Sequence, residues 1–312
     1  MKMKKSDWIW TLIGLLAVAL SGYLLYKEVR SISLAELRGS LLAIDTHHWL
    51  LAGLSTLGAY CALAWYDRIA IAHLGKTISW WFITLCSFTT YALAHNIGAS
   101  VFSGAVVRYR AYSSKGLTPG EIGLLIFFCS FTFALGVLLA GGLVLLLNPT
   151  LIERLLGLQP WLAKVLGGLL LGLVALYVLG SWRHFKPWTW RKLHIEYPRL
   201  PIVARQLLAG PLELFCAAAI IYFALPEASN PGYLTVLGVF LVSFSLALLS
   251  HAPGGLGVLE VTFLKALPDV PTADVLAALI VFRVFYLLLP FALSLLVVIA
   301  FEWQQWRGKR QH

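Results

Sequence analysis

The sequence predicts an all-α integral membrane protein with six full spans and two oppositely oriented helical hairpins carrying broken helices, arranged as an inverted repeat. Three observations carry this expectation. Of 312 residues, 60% are apolar and only 12% charged, whereas soluble domains have roughly 45–50% apolar and about 25% charged residues. A disordered chain is excluded by the same numbers, because disorder needs low hydrophobicity and high charge. The apolar residues form long continuous runs, not the alternating segments of about ten residues that mark a transmembrane barrel. The third observation is an uneven distribution of Lys and Arg between the loops. No soluble catalytic domain fits between the runs, so residues 1–312 are expected to form one transmembrane domain.

The elements follow in order. Lys2, Lys4 and Lys5 precede the run Trp8–Tyr26, which is expected to be a retained first span; a signal peptide ending near Ala17-Val18-Ala19 is the alternative. Ser33-x-x-Glu36 forms a capping box. It opens an amphipathic stretch with Leu34, Leu37, Leu41 and Ile44 on one face, expected to lie in the outer interface. The runs Trp49–Tyr66, Ile122–Leu147, Trp161–Trp182, Ile202–Leu225 and Val275–Phe301 supply the other full spans, since about 20 apolar residues cross the hydrocarbon core. Thr118-Pro119-Gly120-Glu121 combines a capping box with proline at the first helical position, so a span starts there. Gly168-x-x-x-Gly172 permits close helix packing.

Two segments are unusual. His95–Tyr112 and His251–Leu267 are glycine-rich, and each directly follows a short apolar run, Trp80–Ala94 and Tyr233–Leu249. Each begins with His-x-x-Gly. Breaks are expected at Gly98 and Gly104 in the first and at Pro253, Gly254, Gly255 and Gly257 in the second. Interrupted helix at membrane depth is tolerated only where protein or a polar cavity surrounds it. Each segment therefore reads as a hairpin that enters and leaves on one side. With the N-terminus inside, 16 Lys and Arg fall in inner loops and 5 in outer loops. Eight simple spans would instead leave Arg183–Pro201, with five positive charges, outside. The charge bias places both termini in the cytoplasm and gives the hairpins opposite mouths, a pattern that puts a site at the repeat interface.

Net charge is +10. The basic residues sit in short loops, so the expected contact is anionic lipid at the cytoplasmic face and not nucleic acid. The alternating basic and aromatic residues of Trp182–Arg199 read as an interfacial anchor. Cys61, Cys86, Cys129 and Cys216 stand singly within apolar runs and read as small buried hydrophobes. No cofactor or metal is expected. Gly75-Lys76-Thr77 resembles the end of a P-loop, but Ala70 stands where its first glycine belongs.

The intramembrane ionisable residues are the candidates for function, because charge at this depth is costly and usually faces a cavity or a partner. Glu213 lies two residues after Pro211, Glu260 just after the second glycine cluster, and Arg283 well inside the last span. A Glu260–Arg283 or Glu213–Arg283 ion pair is one reading; a polar cavity for a headgroup, or a proton relay, is the other. Arg108 and Arg110 are expected at the inner mouth of the first hairpin, where guanidinium forks suit phosphate. Asp67 is expected to pair with Arg68 or Arg110. His95 and His251 are expected to satisfy broken backbone.

Gly104-x-x-x-Arg108-Tyr109-Arg110 with Gly116, and Pro253-x-Gly255-x-Gly257-x-x-Glu260, resemble the transmembrane family related to the flippase half of lysyl-phosphatidylglycerol synthase/flippase. The resemblance spans nearly the whole chain. It implies movement of a phospholipid, anionic or aminoacylated, across the bacterial inner membrane, with Asp67, Arg108, Arg110, Glu213 and Glu260 as functional positions. The aminoacyl-transferring domain of bifunctional members is not encoded here, so the chain is expected not to be an enzyme. A membrane-embedded enzyme using Glu260 or Glu213 as acid/base, and a non-transporting assembly partner, are the competing classes. A second copy of the chain or a lipid-synthesis enzyme are the protein partners considered.

Overall fold

A computed structural model describes residues 33–97, 100–183, 188–190, 193–195, 198–250 and 253–309. The expected first span and signal-peptide alternative, Gly98 and His251 lie outside the described residues.

Helix α1 (Leu34–Leu42) starts on the expected capping box, with Ser33 N–H donating to Glu36 and Glu36 N–H to Ser33 Oγ. Leu41 and Ile44 pack inward while Leu34 and Leu42 are exposed. Helix α2 (Thr46–His73) is the first described span. Helices α3 (Trp80–Ile97) and α4 (Ser100–Ser113) pack against each other as the first hairpin. The span α5 (Pro119–Leu147) begins on the Thr118–Glu121 capping box with Pro119 at its start. A short helix α6 (Leu151–Leu156) leads to the span α7 (Pro160–Trp182). Next comes a two-stranded antiparallel ribbon, β1 (Trp188–Trp190) and β2 (Leu193–Ile195), with Thr189 opposite His194. The sequence reading placed an interfacial anchor there but no strand. The span α8 (Leu200–Ala224) follows, with Pro211 inside it.

The second hairpin is α9 (Tyr233–Ser250) and α10 (Val258–Ala266), with a tight turn of glycines between them. Gly254, Gly255 and Gly257 have φ of +58°, +64° and +79°, values that residues with a Cβ rarely adopt. The returning limb α10 has 9 residues, about 14 Å at 1.5 Å per residue. The break therefore stands well inside the bundle. Helix α11 (Thr272–Phe282) runs through a π-helical segment (Arg283–Leu288) into α12 (Leu289–Lys309).

Among the described residues, six helical stretches are long and apolar enough to cross a membrane. Five are the spans expected beyond residue 32, and the sixth is α9. The first limb of the second hairpin is thus span-length, and the glycine turn is what stops it from continuing. Lateral contacts explain the remaining apolar surface. Helix α7 is the least buried span and exposes Trp161, Leu169, Leu173 and Leu176. In water such a face would be unstable; against acyl chains it is solvated.

Loop contacts set the two ends of the bundle. At one end Lys76 pairs with Glu121 at 2.9 Å, beside the mouth of the first hairpin. At the other end Asn148 donates to Thr235 at 3.1 Å and Arg154 meets Asp269 at 3.4 Å, beside the mouth of the second. The hairpins open in opposite directions. The order span, hairpin, span occurs twice: α2, α3–α4, α5 and α8, α9–α10, α11–α12. The two leading spans, α2 and α8, share the most extensive packing in the molecule.

Two glycine expectations are corrected. Gly104 lies within α4 and does not break it; a Cβ there would sit 3.0 Å from Thr90 Cγ2, so this glycine lets the hairpin limbs approach. Gly168 and Gly172 face open space. The close contact at α5 and α7 is made one position earlier, where a Gly167 Cβ would lie 2.9 Å from Gly142 O. Near Pro211, Gly136 of α5 and Gly210 of α8 meet backbone to backbone. The cysteines also differ from expectation: Cys86 and Cys129 are buried, Cys216 is half-buried and Cys61 is exposed.

Candidate functional site

Each half of the bundle holds an arginine–carboxylate pair on the returning limb of its hairpin, joined to the leading span in the first half and to the trailing segment in the second. In the first half, Asp67 on α2 is fully buried. It accepts from Arg108 Nη2 at 2.6 Å and Nε at 3.3 Å, and from Tyr112 Oη at 2.9 Å. Cys129 Sγ on α5 donates to it at 3.4 Å. Arg108 and Tyr112 are four residues apart on α4, which places them on one helix face. The Arg108 guanidinium also lies over the Tyr91 ring at 4.9 Å, a cation–π contact from α3. One ion pair thus joins α2, both limbs of the hairpin and α5. The expected partners of Asp67, Arg68 and Arg110, are both corrected: the pairing is with Arg108. Arg68 instead lies over Trp80 at 4.4 Å. Arg108 is buried, not presented at the hairpin mouth, and Arg110 is exposed and takes no part in this pair.

In the second half, Arg283 grips the glycine turn. Its Nε and Nη2 donate to Glu260 Oε1 at 2.9 and 2.5 Å, and its Nη1 donates to Gly254 O at 2.8 Å. Glu260 Oε2 accepts from Gly257 N–H at 2.8 Å. That bond caps the start of α10, where a carboxylate also complements the helix dipole. Of the two ion pairs left open by the sequence, the structure forms Glu260–Arg283. Gly254, Gly255, Gly257 and Glu260 form one unit through these bonds, with Pro253 in the same turn.

Glu213 has a different setting. It is buried near the middle of α8, and Oε1 accepts from Tyr286 Oη at 2.5 Å. Among the described residues its Oε2 has no hydrogen-bond partner and no cation forms an ion pair with it. The Tyr286 ring is central to the bundle, stacked with Phe282 at 5.0 Å and His95 at 5.2 Å.

The π-helical segment explains how these parts converge. A wider turn releases backbone carbonyls from the α-helical ladder, and such turns favour functional positions. Tyr60 Oη on α2 donates to Tyr286 O at 3.0 Å. Asn96 Nδ2, at the tip of the first hairpin, donates to Leu287 O at 3.0 Å and to Ala92 O at 2.8 Å. The tip of α3 also packs against the glycine turn of the second hairpin. Among the described residues Tyr60 and Asn96 satisfy this freed backbone, and His95 Nδ1 has no partner. Sequence reasoning missed Asn96, Tyr60, Tyr112 and Tyr286. The signals available were weak: Tyr112 is four residues from Arg108 and Tyr286 three from Arg283.

The one metal-competent group among the described residues lies elsewhere, at the start of α2. Ligand atoms of Asp45, His47 and His48 lie within 4.8 Å of one another, and His48 Nε2 is 3.8 Å from Glu227. The set is largely exposed and shares no residue with either pair.

The chain matches known proteins over most of its length. The family model described as lysylphosphatidylglycerol synthase TM region matches residues 12–294. The chain belongs to this family. An uncharacterised protein of Synechocystis, slr0712, is 28% identical over 255 residues, covering 81% of this chain and 79% of its own length. The inner membrane protein YbhN of Escherichia coli is 30% identical over 254 residues, covering 79% and 77%. A phosphatidylglycerol lysyltransferase of Staphylococcus haemolyticus is 24% identical over 297 residues. That match takes in 88% of this chain but only 32% of the longer protein. Family membership therefore concerns the membrane region. The motifs that carried the resemblance include Arg108 and Glu260, one member of each buried pair.

Proposed function

We propose that this protein moves a charged phospholipid between the leaflets of the bacterial inner membrane, with both termini cytoplasmic. The observation that carries the reading is the pair of opposed hairpins, each anchored by a buried arginine–carboxylate pair. A direct pair has no vacant charge, so headgroup binding is an exchange of partners. Phosphate takes the arginine, because the guanidinium fork matches phosphate as well as carboxylate. The released carboxylate takes an ammonium group, as an aminoacylated headgroup would supply. Each charge of the headgroup thus meets an opposite charge, which lowers the cost of carrying it through a low-dielectric region. The first hairpin opens toward the basic loops and the second toward the opposite end. Sequential exchange at the two pairs thus gives a headgroup two way-stations while its acyl chains stay in lipid. The named activity of the staphylococcal relative makes phosphatidylglycerol and its aminoacylated form the first substrates to test.

The test is lipid movement in proteoliposomes carrying fluorescent phosphatidylglycerol or a lysylated analogue, with outer-leaflet probe quenched chemically. Protein-containing vesicles are expected to lose more signal than empty ones, at a rate that depends on headgroup charge. Equal rates in both, for every lipid, would end the unassisted-transport reading. Sidedness has its own check. In cells expressing a variant without native cysteines, Ala228→Cys is expected to react with an impermeant thiol reagent and Ser114→Cys to resist it. The reverse pattern would invert the assigned topology.

A further inference from the structure

We propose that Glu213 is a proton-binding site, and that proton uptake and release there drive the lipid movement proposed above. The inference rests on that transport reading for its purpose, but not for its chemistry.

The chain treats its buried carboxylates in two ways. Asp67 and Glu260 each have an arginine and further hydrogen-bond donors. Glu213 is equally buried, has one phenol donor on Oε1, and leaves Oε2 without a partner among the described residues. An isolated carboxylate in a low-dielectric interior neutralises by taking a proton. In this arrangement a proton on Oε2 meets no competing donor.

The surroundings supply no compensating charge. From α2, Glu213 faces Tyr60 and Tyr66; from its own helix, Cys216; from the π-helical segment, Tyr286. Among the described residues no Lys or Arg of α5, α9 or α11 pairs with it. Tyr66 Oη is engaged with Gly210 O at 3.1 Å, and Tyr60 Oη with Tyr286 O. Neither hydroxyl proton is left to satisfy Oε2. The Tyr286 ring that holds Oε1 is stacked with His95, whose Nδ1 is also unpartnered among the described residues. Thr89 and Thr90, on the same helix as His95, also have buried hydroxyl oxygens without partners. Native interiors leave few such atoms. Three of these atoms lie on α3, whose His95 stacks on the Tyr286 ring that holds Glu213.

The step is simple to balance. The Glu213 carboxylate gains one proton and becomes a carboxylic acid, with Tyr286 Oη–H still donating to Oε1. Loss of that proton restores the carboxylate and its charge. Glu213 lies on α8 where α8 packs against α2, and its phenol partner Tyr286 lies three residues from Arg283. A charge appearing on Glu213 therefore disfavours the packing that keeps the second pair closed. Reprotonation lets it close again.

Infrared difference spectroscopy of the purified full chain in lipid nanodiscs, titrated with acid, tests the chemistry without any transport. A carboxylic-acid carbonyl band is expected to titrate as one proton, to vanish in Glu213→Gln, and to shift in Tyr286→Phe, which removes only the hydroxyl donor. A band unaffected by both variants would overturn the proposal, as would the absence of any titrating acid band. Coupling is then read in proteoliposomes under a pH gradient. The parent protein is expected to move lipid several-fold faster with the gradient in one direction than in the other, and Glu213→Gln to lose that asymmetry. A parent rate indifferent to the gradient would overturn the drive while leaving lipid movement standing. If no lipid moves at all, the transport reading falls, and with it the drive; the band then decides proton binding alone.

Discussion

Arg108→Ala is expected to destabilise the protein by about 3–5 kcal/mol, the usual cost of leaving one member of a buried ion pair without the other. Asp67 would keep the Tyr112 hydroxyl and the Cys129 thiol, but no cation. Four elements meet at this ion pair, so its loss is felt across the first half of the bundle. The double variant Asp67→Leu with Arg108→Met is expected to recover most of that stability, because well-packed apolar residues often replace a buried pair at little cost. Lipid movement should not recover with it, since nothing remains to exchange with a headgroup. Thermal unfolding of the detergent-purified protein and the vesicle assay give the two readouts. A stable double variant that moves lipid at the parent rate would make the pair structural only. A single variant as stable as the parent would contradict the pairing itself.

Arg283→Lys should slow lipid movement by tenfold or more and loosen the glycine turn, although the charge is kept. The planar guanidinium reaches Glu260 and the Gly254 carbonyl at the same time. An ammonium has no such fork. Loss of even one charge-assisted hydrogen bond, about 1.5–3 kcal/mol, corresponds to roughly tenfold or more, since 1.4 kcal/mol is a factor of ten. Amide hydrogen exchange by mass spectrometry is expected to quicken over Pro253–Glu260 and to stay unchanged at the Lys76–Glu121 end. Unchanged exchange in the turn would show that Arg283 does not hold it.

Much of the architecture was legible because its signals are local. The capping boxes at Ser33 and Thr118 were read from spacing alone and are formed. The glycines at Gly254, Gly255 and Gly257 marked a real break because positive φ selects for glycine at each position separately. Gly104 misled for the same reason in reverse. A glycine also serves close helix approach, and only the neighbour across the gap, Thr90, shows which use applies. The ribbon at Trp188–Ile195 carried no strand signal strong enough to stand out from an aromatic and basic anchor.

The candidate residues were read from the sequence as the expensive intramembrane charges, and their partners were not all legible. Asp67 and Arg108 are 41 positions apart, and Glu260 and Arg283 are 23 apart. Sequence distance says nothing about which turn of one helix faces which turn of another. Arg108 and Arg110 looked alike in sequence; on α4 they lie on different faces, one buried against Asp67 and one exposed.

By itself the sequence determined that this is a multipass helical membrane protein, where two of its helices begin, and that its two hairpins open on opposite sides. Those properties depend on composition, on residues a few positions apart, and on charge counted loop by loop. Only the tertiary structure decided that Arg108 is buried, that Glu260 and not Glu213 takes Arg283, and that Glu213 is left with a single phenol donor. Ion pairing inside a bundle depends on how helices rotate and cross. That is set by the sum of many packing contacts, including backbone approaches such as Gly136 on Gly210, and no short stretch of sequence contains that sum.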